Sequence, residues 1–547
     1  MRFTFILIVL ISFFSCQKKQ RYGDKKIFRY NIAEGITSLD PAFARSLDNV
    51  STVNHLFNGL VQLDDKLKIR PSIAKSWEIL DSGKTYRFYL RKDVFFHESA
   101  LFGEDSSRSV IAKDFVYSLN RLVDSDLISP GKWVMNPVKR NADGSLSIEA
   151  LNDTVLQIQL KEAFPPFLGI LSMPYCSVVP KEAVSFYKDD FRSNPIGTGP
   201  FTFKYWKENG KMILLQNPNY FEFDAEGNRL PYIDAVAISF IKDQEVNFLK
   251  FIRGEFDYLS GLKGSYKDEI LNTKGELNPK YEENFKMLRS PYLNTEYLGF
   301  NLSESYLSKD NPVADLRIRR AINYGFDREK MLTYLRNGIG IAAQSGFVPA
   351  GMASFNAKEV KGFSYQPDSV KKLLIEAGYP NGKGLAEISL STTAEYLDLC
   401  EYLQHQLKQF GIKISVDVNQ AATNNEMIAN NRVQFFRKSW VADYPDAQNY
   451  LSLFLSKNFS PSGPNYTHFS SHKFDRLYEQ AMQITDDSLR FKLYRQMDQL
   501  IIDKAPVVPL FYDEVVRFIP NNISGIGVNP MNLLVLKYAK KVNKKVN

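Results

Sequence analysis

Residues 74–97 carry the sequence AKSWEILDSGKTYRFYLRKDVFFH, and the second half of this stretch has a clear structural period. In residues 86–90 (YRFYL) the side chains alternate between two faces, which is typical of a strand with one buried face. Residues 156–160 (LQIQL) alternate in the same way, and residues 112–122 between them have helical spacing. The pattern predicts two paired strands separated by a helix.

Strand-like alternation and helical spacing continue on both sides of this stretch. Strands are predicted at 27–32 and 236–240, and helices at 49–60, 244–253, 315–335 (broken at Asp327), 367–377, 394–410 and 474–484. Strands and helices that alternate over this length indicate an α/β protein with several sheets. Because the sequence shows no internal repeat, we expect domains that exchange strands rather than follow one another along the chain.

The composition is that of a large folded protein. With 547 residues, 44% of them hydrophobic, the chain is long enough for about two to four domains. Part of its net charge of +8 lies near the chain ends, in residues 17–21 and in Lys537, Lys540, Lys541, Lys544 and Lys545. We interpret these basic ends as attracted to anionic lipid. Without zinc-finger spacing or a basic stripe with interleaved aromatic residues, we predict no nucleic-acid partner.

An apolar segment follows the first two residues. Residues 3–14 (FTFILIVLISFF) come after a positive charge and are too few for a bilayer-spanning helix, which needs about 20 residues. Their length is typical of the hydrophobic region of a secretory signal peptide. Ser15 and Cys16 at its end resemble a bacterial lipobox, although Phe13 and Phe14 stand where that pattern has Leu and a small residue.

The lipobox interpretation assigns a role to one of the three cysteines. Because no small-x-small cleavage site precedes Cys16, we predict a signal peptide at 1–15, a lipid on Cys16 and a polar tether at 16–26. The alternative is an ordinary signal peptide with an incidental cysteine. The two other cysteines, Cys176 and Cys400, could form a disulfide in an oxidising compartment, but we expect both to be free and buried.

The sequence gives no support to catalysis. His468 and His472 have the spacing of two zinc ligands on a helix, but Phe469 replaces the glutamate of a zinc protease, and a hydrogen-bonded or surface pair is the better interpretation. The chain has no G-x-S-x-G nucleophile elbow. Residues 197–200 (GTGP) lack the Lys-Ser/Thr of a phosphate loop and predict a tight turn. We therefore predict a protein that is not an enzyme and has no bound metal or cofactor.

Several longer strings occur in a fixed order. They are residues 38–41 (SLDP), 56–60 (LFNGL), 74–97, 112–118 (AKDFVYS), 197–201 (GTGPF), the Arg-rich 316–328 and 439–446 (SWVADYPD). Together they resemble the peptide- and nickel-binding family of ABC-importer solute-binding proteins, with its oligopeptide- and dipeptide-binding members. The resemblance covers nearly the whole mature chain and agrees with the lipoprotein signal, which was inferred independently.

The resemblance implies a fold. Members have two α/β lobes of the periplasmic-binding-protein type, joined by crossover strands, with an extra domain in the first lobe. Mapped onto this chain, the first lobe comprises residues 27–65, 196–285 and 505–547, the extra domain residues 66–195, and the second lobe residues 286–504.

The resemblance also implies a ligand site between the lobes. A peptide would lie there as an added strand, and the protein edges that pair with it would be Ile32-Ala33-Glu34 and Ser439-Trp440-Val441. Main-chain hydrogen bonds are the same for every peptide sequence, which explains broad specificity. Trp440 would form a wall of the cleft, although a core tryptophan would look the same in sequence.

Two charged residues complete the expected site. Asp443 would be the counter-charge of the peptide α-ammonium, since an unpaired ammonium in a closed cleft costs several kcal/mol. The alternative is that Asp443 only organises the turn that it begins with Pro445 and Asp446. Arg437 matches an arginine that some members place near the peptide carboxylate, with a strand-edge surface arginine as the alternative.

These expectations describe an extracytoplasmic, lipid-anchored and monomeric protein that captures short peptides and delivers them to the permease of an ABC importer. A nickel chelate or a sugar on the same fold stays an alternative, although few histidines and no cysteine pair argue against direct nickel ligation. A surface adhesin or signalling-peptide receptor and a secreted peptidase are the alternatives from other classes.

Cys16→Ser tests the predicted anchor. Because the sulfur that carries the lipid is lost, we expect the variant to leave the membrane fraction or to stay unprocessed, as two or more acyl chains are needed for stable attachment. Cell fractionation and the mass of the mature N-terminus measure this. A variant that is cleaved and still sediments with membranes like the native protein would contradict the lipoprotein interpretation.

Overall fold

The computed structural model describes residues 25–261, 266–272, 274–308 and 310–542. The predicted signal peptide, Cys16 and the tether up to residue 24 lie outside these ranges, as do Lys544 and Lys545. Within the ranges, no helix is long and apolar enough to cross a membrane.

Helices and strands alternate along the described chain, as the sequence predicts. The helices are α1 (Leu47–Leu56), α2 (Ala112–Arg121), α3 (Phe167–Leu171), α4 (Lys181–Tyr187), α5 (Gln244–Ile252), α6 (Lys267–Ile270), α7 (Leu316–Tyr324), α8 (Arg328–Arg336), α9 (Pro367–Glu376), α10 (Leu397–Lys408), α11 (Ala421–Ala429), α12 (Gln448–Leu451), α13 (His472–Met482) and α14 (Asp487–Lys504). The predicted break at Asp327 is confirmed, because the Asp327 carboxylate caps the start of α8 by accepting from the N–H groups of Glu329 and Lys330.

The strands are short, with two exceptions. They are β1 (Ile27–Asn31), β2 (Val61–Leu63), β3 (Ile69–Pro71), β4 (Ala74–Leu80), β5 (Thr85–Leu90), β6 (Ile148–Asn152), β7 (Val155–Gln159), β8 (Phe201–Lys207), β9 (Lys211–Gln216), β10 (Ala235–Ser239), β11 (Leu259–Ser260), β12 (Phe285–Phe300), β13 (Ile341–Ala342), β14 (Ile388–Thr392), β15 (Ile414–Val418), β16 (Phe435–Val441), β17 (Val507–Pro520), β18 (Ile523–Ser524) and β19 (Lys540–Lys541). The pairing of β5 with β7 confirms the two strands predicted from alternation.

Three sheets organise the described chain. The N-terminal sheet has the order β1-β10-β9-β8, with β1 and β10 parallel and the other pairs antiparallel. An antiparallel sheet has the order β4-β5-β7-β6. The seven-stranded sheet has the order β11-β17-β12-β16-β14-β15, with β13 beside β17.

The two long strands, β12 and β17, reach from one hydrophobic core to others. They pair antiparallel from Phe285↔Pro520 to Gly299↔Val507. At one end Phe285 packs in a small core with α5 and β11. At the other end Leu298 belongs to a core on one face of the seven-stranded sheet. A different core contains residues of α12 to α14. The N-terminal sheet and the β4–β7 sheet share a further core.

A close backbone contact forms the joint between the N-terminal sheet and the β4–β7 sheet. The chain passes so near the end of α1 that a Cβ atom on Gly197 would lie 1.9 Å from the carbonyl oxygen of Leu56, and one on Gly199 2.4 Å from its carbonyl carbon. The N–H of His97 donates to the Gly197 carbonyl (2.7 Å), and its Nε2 lies 3.0 Å from the Gly199 carbonyl. Three of the strings quoted above therefore meet at one point, where only glycine fits.

Buried charged side chains hold two further sequence strings, residues 38–41 and 316–328, in the fold. Asp40 caps the turn that follows it, and its carboxylate forms a bidentate ion pair with Arg121 at the end of α2, where the Nη1–Oδ1 distance is 2.8 Å. Arg328 is 1% exposed and donates to the backbone carbonyls of Asn323 (2.9 Å) and Pro509 (2.7 Å). Carbonyl dipoles thus solvate this buried cation and fasten α8 to β17.

Gly199→Ala tests the joint. Because the added methyl group would overlap the α1 backbone, we expect the free energy of unfolding to fall by about 3 kcal/mol. Gly210→Ala is the control, since its Cβ would meet the flexible Lys207 side chain at 3.3 Å and the Lys207 carbonyl oxygen at 3.4 Å, and it should cost less than about 0.5 kcal/mol. Denaturant titration measures both free energies, and equal midpoints for the two variants would contradict the close contact of Gly199 with the end of α1.

Candidate functional site

Strand β16 has one free edge. It pairs antiparallel with β12, and the N–H of Ala442 donates to the Leu293 carbonyl (2.9 Å) while the N–H of Asn301 donates to the Gln434 carbonyl (2.9 Å). In an antiparallel pair, alternate residues direct their main-chain groups to the partner strand. Both bonds involve even-numbered residues of the β16 segment. The odd-numbered residues therefore direct their N–H and C=O groups away from β12.

The free edge lies beyond Phe436. On that side β14 pairs only with Phe435 and Phe436, and no other strand in the described part of the chain continues the pairing. The main-chain groups of Arg437, Ser439 and Val441 are therefore directed to an unpaired edge. Val441 is 44% exposed, and Ser439 and Trp440 are half-buried. An unpaired strand edge of this length can accept an additional strand.

Asp443 follows this edge and is held by a short relay. Trp440 Nε1 donates to Asn449 Oδ1 (2.7 Å), and Asn449 Nδ2 donates to Asp443 Oδ2 (3.3 Å). Asn449 is buried at the start of α12, and the Trp440 ring packs against the core beside it. The predicted wall residue and the predicted counter-charge are thus joined through one amide.

The Asp443 carboxylate is exposed to water but surrounded by protein. The desolvation that this causes raises the pKa of its carboxyl above the usual value, and the bond from Asn449 acts in the opposite direction. The pKa of Tyr175 is raised first by burial and then by the Asp443 charge, while Arg45 lowers it. The Asp443 charge is therefore close enough to influence Tyr175, which belongs to the first third of the chain.

The space for Tyr175 depends on a glycine. A Cβ atom on Gly131 would lie 2.3 Å from the Tyr175 ring, so the ring fills the place of a side chain at that position.

Tyr444, next to Asp443, lies 6.3 Å from Trp133 between ring centroids. The loop that carries Asp443 is thus packed against residues of the predicted extra domain.

Asp446, and not Asp443, organises the turn. The Asp446 carboxylate accepts from the N–H of Gln448 (2.8 Å) and pairs with Arg490 (3.4 Å). Arg490 in turn donates to the carbonyls of Ile484 and Thr485, before α14. Burial raises the pKa of Asp446, and Arg490 opposes that effect. The Asp443 side chain therefore stays available for a partner outside the turn.

Arg437 already has a partner. It forms an ion pair with Glu296 on β12, and its guanidinium lies 3.0 Å from the centroid of the Tyr396 ring. The two charged side chains are 11% and 6% exposed. Burial raises the pKa of Glu296, and the attraction of Arg437 acts against it. A ligand carboxylate at Arg437 would have to compete with Glu296, which weakens the predicted role of this arginine.

The second predicted edge lies in the N-terminal sheet. Ile32 continues β1, and its N–H donates to the Ser239 carbonyl (2.9 Å). Ala33 and the exposed Glu34 form the turn that follows. These three residues line a cavity of about 320 Å³, and no residue of β16 is among its lining residues. The structure thus brings Ser439, Trp440, Val441 and Asp443 together and places Ile32–Glu34 in the other sheet.

The structure also shows the surroundings of the histidine and cysteine side chains that were considered for metal binding or a disulfide, within the described residues. His468 lies in a loop, stacks on Phe459 and is within 2.8 Å of Asn431 Nδ2, so it is hydrogen-bonded as predicted. No group of three or more potential ligands that could hold a metal ion occurs in the described ranges. Cys176 and Cys400 are free and buried, which confirms that prediction.

Comparisons with known proteins identify the family of the chain. Residues 68–462 match the family described as bacterial extracellular solute-binding proteins, family 5 Middle. The chain is 26% identical to heme-binding protein A of Haemophilus influenzae over 512 residues, covering 91% of this chain and 89% of that protein. It is 24% identical to the dipeptide-binding protein of Escherichia coli K12 over 499 residues, covering 87% of each.

A solved structure shows the same fold. The periplasmic binding protein DppA of Helicobacter pylori, in complex with peptide STSA, is 25% identical and superposes with a TM-score of 0.71 over 93% of this chain and 98% of that one. The predicted two-lobed α/β fold is thereby confirmed. The matched family consists of solute-binding proteins and not of enzymes, in agreement with the prediction. The chain belongs to family 5 of the bacterial extracellular solute-binding proteins.

Proposed function

We propose that this protein captures short peptides with a free α-amino group in the cleft beside β16. The observation that carries the proposal is the exposed Asp443 carboxylate at the end of an unpaired strand edge. No cation in the described part of the chain forms an ion pair with Asp443. A ligand ammonium would supply the missing counter-charge.

The strand edge explains how such a ligand is held along its length. A peptide that lies against Arg437, Ser439 and Val441 pairs with main-chain groups that no strand of the described chain pairs with. These bonds do not depend on the peptide sequence, so side chains are left to pockets that water can fill. The N-terminal residue of the peptide would then lie near Val441, within reach of Asp443.

The cleft has two walls in this proposal. Ser439, Trp440, Val441 and Asp443 form one, and Ile32-Ala33-Glu34 forms the other when the lobes close. A ligand that binds both walls favours the closed form by its differential affinity for that form. Arg437 is the weaker candidate for the peptide carboxylate, because Glu296 already compensates its charge.

The relatives support a peptide ligand. One matched protein is named for dipeptides, and a solved relative contains a bound peptide. Another relative is named for heme, and family membership alone does not select among such ligands. The pairing of a carboxylate with an open strand edge fits an amine and a peptide backbone better than a heme, a nickel chelate or a sugar.

The remaining parts of the proposal concern the cell envelope. The protein would act outside the cytoplasm as a monomer, held to a membrane by lipid on Cys16. It would deliver its ligand to the permease of an ABC importer. The lipobox-like end of residues 3–14 and the family of extracellular solute-binding proteins support these statements. The division into lobes at 27–65, 196–285 and 505–547, at 66–195 and at 286–504 is proposed with them.

Asp443→Asn together with an N-acetylated peptide tests the proposed pair. Removing one member of a buried charge pair costs on the order of 2–5 kcal/mol, so affinity should fall roughly 30- to 4,000-fold. Acetylation should cost the native protein a similar factor and the variant much less, because the same interaction is removed. Calorimetric titration of the four combinations measures this double-mutant cycle.

The control is Asp417→Asn, which changes an exposed carboxylate on β15 and should leave the affinity unchanged. Unfolding midpoints of both variants show whether the fold is damaged. If acetylated peptide binds the native protein as tightly as free peptide, Asp443 does not hold the amine.

A further inference from the structure

The two ends of the described chain meet at one end of the N-terminal sheet. Because β1 and β10 are parallel, their first residues lie side by side. The N–H of Lys26 donates to Asp234 Oδ2 (2.6 Å), and the N–H of Asp234 donates to the Lys26 carbonyl (2.9 Å). From the C-terminal side, Lys541 Nζ donates to the Ile27 carbonyl (2.9 Å). The chain thus enters and leaves the fold at the same place.

Four exposed cations surround this place, and we name them the basic edge: Lys25, Lys26, Arg29 and Lys540. Lys540 Nζ lies 4.2 Å from the centroid of the Tyr232 ring, two residues before Asp234. Within the described chain, none of the four forms a salt bridge. These four side chains are therefore exposed cations without a directly paired carboxylate.

The neighbouring acids reduce the positive charge of the basic edge without cancelling it. Lys541 is half-buried and is neutralised by Asp257 (2.7 Å). The carboxylates of Asp224 and Asp234 accept hydrogen bonds from neutral groups, which are Tyr232, Asn228 and the Lys26 main chain, and they keep their negative charge. They therefore offset part of the four positive charges of the basic edge.

The sequence beyond the described ends is also basic. Residues 17–24 and 543–547 contribute one acid, Asp24, against five bases: Lys18, Lys19, Arg21, Lys544 and Lys545.

We propose that the basic edge docks on anionic lipid headgroups. The inference rests on the proposed lipid at Cys16, because the nine residues from Cys16 to Lys25 span at most about 30 Å. A bilayer surface is then always close to the basic edge, and juxtamembrane Lys and Arg side chains are attracted to anionic lipid within about 8 Å at physiological salt. The exposed Tyr538 and Val542, 44% and 68% exposed near Lys540, add side chains suited to the interface.

Docking would orient the ligand cleft. Ile32-Ala33-Glu34 follow the last residue of β1, and the five residues of β1 span about 16 Å at a rise of about 3.3 Å per residue. Lys25 and Lys26 thus lie at the opposite end of β1 from the predicted ligand edge, and Arg29 lies midway along the strand. A protein docked through the basic edge holds its cleft away from the bilayer, open to arriving solute.

Vesicle co-sedimentation tests the proposal on the chain from residue 16 onward with Cys16→Ser. Every strand and helix of the structure lies within residues 25–542, so this chain retains the whole described fold. We expect binding to phosphatidylglycerol-containing vesicles at about 50 mM NaCl, loss of binding at about 500 mM NaCl, and no binding to phosphatidylcholine alone. The variant K25Q/K26Q/R29Q/K540Q should bind the anionic vesicles at least about tenfold more weakly.

The matched control is K383Q/K408Q/K413Q/K473Q, which removes four exposed lysines from residues 286–504 and changes the net charge equally. It should bind anionic vesicles like the native protein. Equal binding by the two quadruple variants would overturn the proposal, as would binding to a DNA duplex but not to vesicles. Because no lipid is attached in this experiment, its failure leaves the Cys16 anchor untouched, and loss of the anchor in cells leaves vesicle binding measurable.

Discussion

Strand β12 forms hydrogen bonds along both of its edges, and the candidate site depends on this pairing. On one edge β17 runs beside it from Phe285 to Gly299, and on the other β16 runs beside it from Asn294 to Phe300. Side chains and main-chain groups alternate with a period of two, so the register with β16 determines which residues face the free edge. A slip by one residue would direct the main-chain groups of Trp440 to the free edge and those of Ser439 toward β12. The bond from Ala442 to Leu293 then ends the strand just before Asp443.

Charge compensation distinguishes Asp443 from Arg437 and Asp446. Arg437 is paired with Glu296, and Asp446 is paired with Arg490, so two of the charges in this segment are neutralised inside the fold. Among the residues that the structure describes, Asp443 accepts a hydrogen bond from the neutral amide of Asn449 and has no ion pair, so its carboxylate is oriented without being neutralised. A carboxylate that is surrounded by protein and still exposed is stabilised most by a cation that arrives with the ligand.

Much of the fold could be predicted from local sequence. The alternation of residues 86–90 and 156–160 predicts β5 and β7, because each strand buries one face against the same core. The strings at 56–60, 94–97 and 197–201 were predictive together, although their spacing does not show why. The structure supplies the reason, which is the close approach of Gly197 and Gly199 to the end of α1.

The candidate site was only partly predictable. Residues 439–443 were found through resemblance, but Asn449 and Tyr175 left no signal, because a single hydrogen bond or ring contact imposes no period on the sequence. The partner of Arg437 could not be predicted either. Glu296 reaches it only through the register of β12 with β16, a tertiary relation that neither segment encodes alone.

The central claim is that the cleft holds a ligand with a free α-amino group, paired with Asp443. The most direct measurement is mass spectrometry of the small molecules that co-purify with the native protein and are released by denaturation. The account predicts short peptides of varied sequence whose α-amino groups react with an amine-specific reagent after release. A bound population of heme, sugar or N-blocked compounds that lack a primary amine would contradict it.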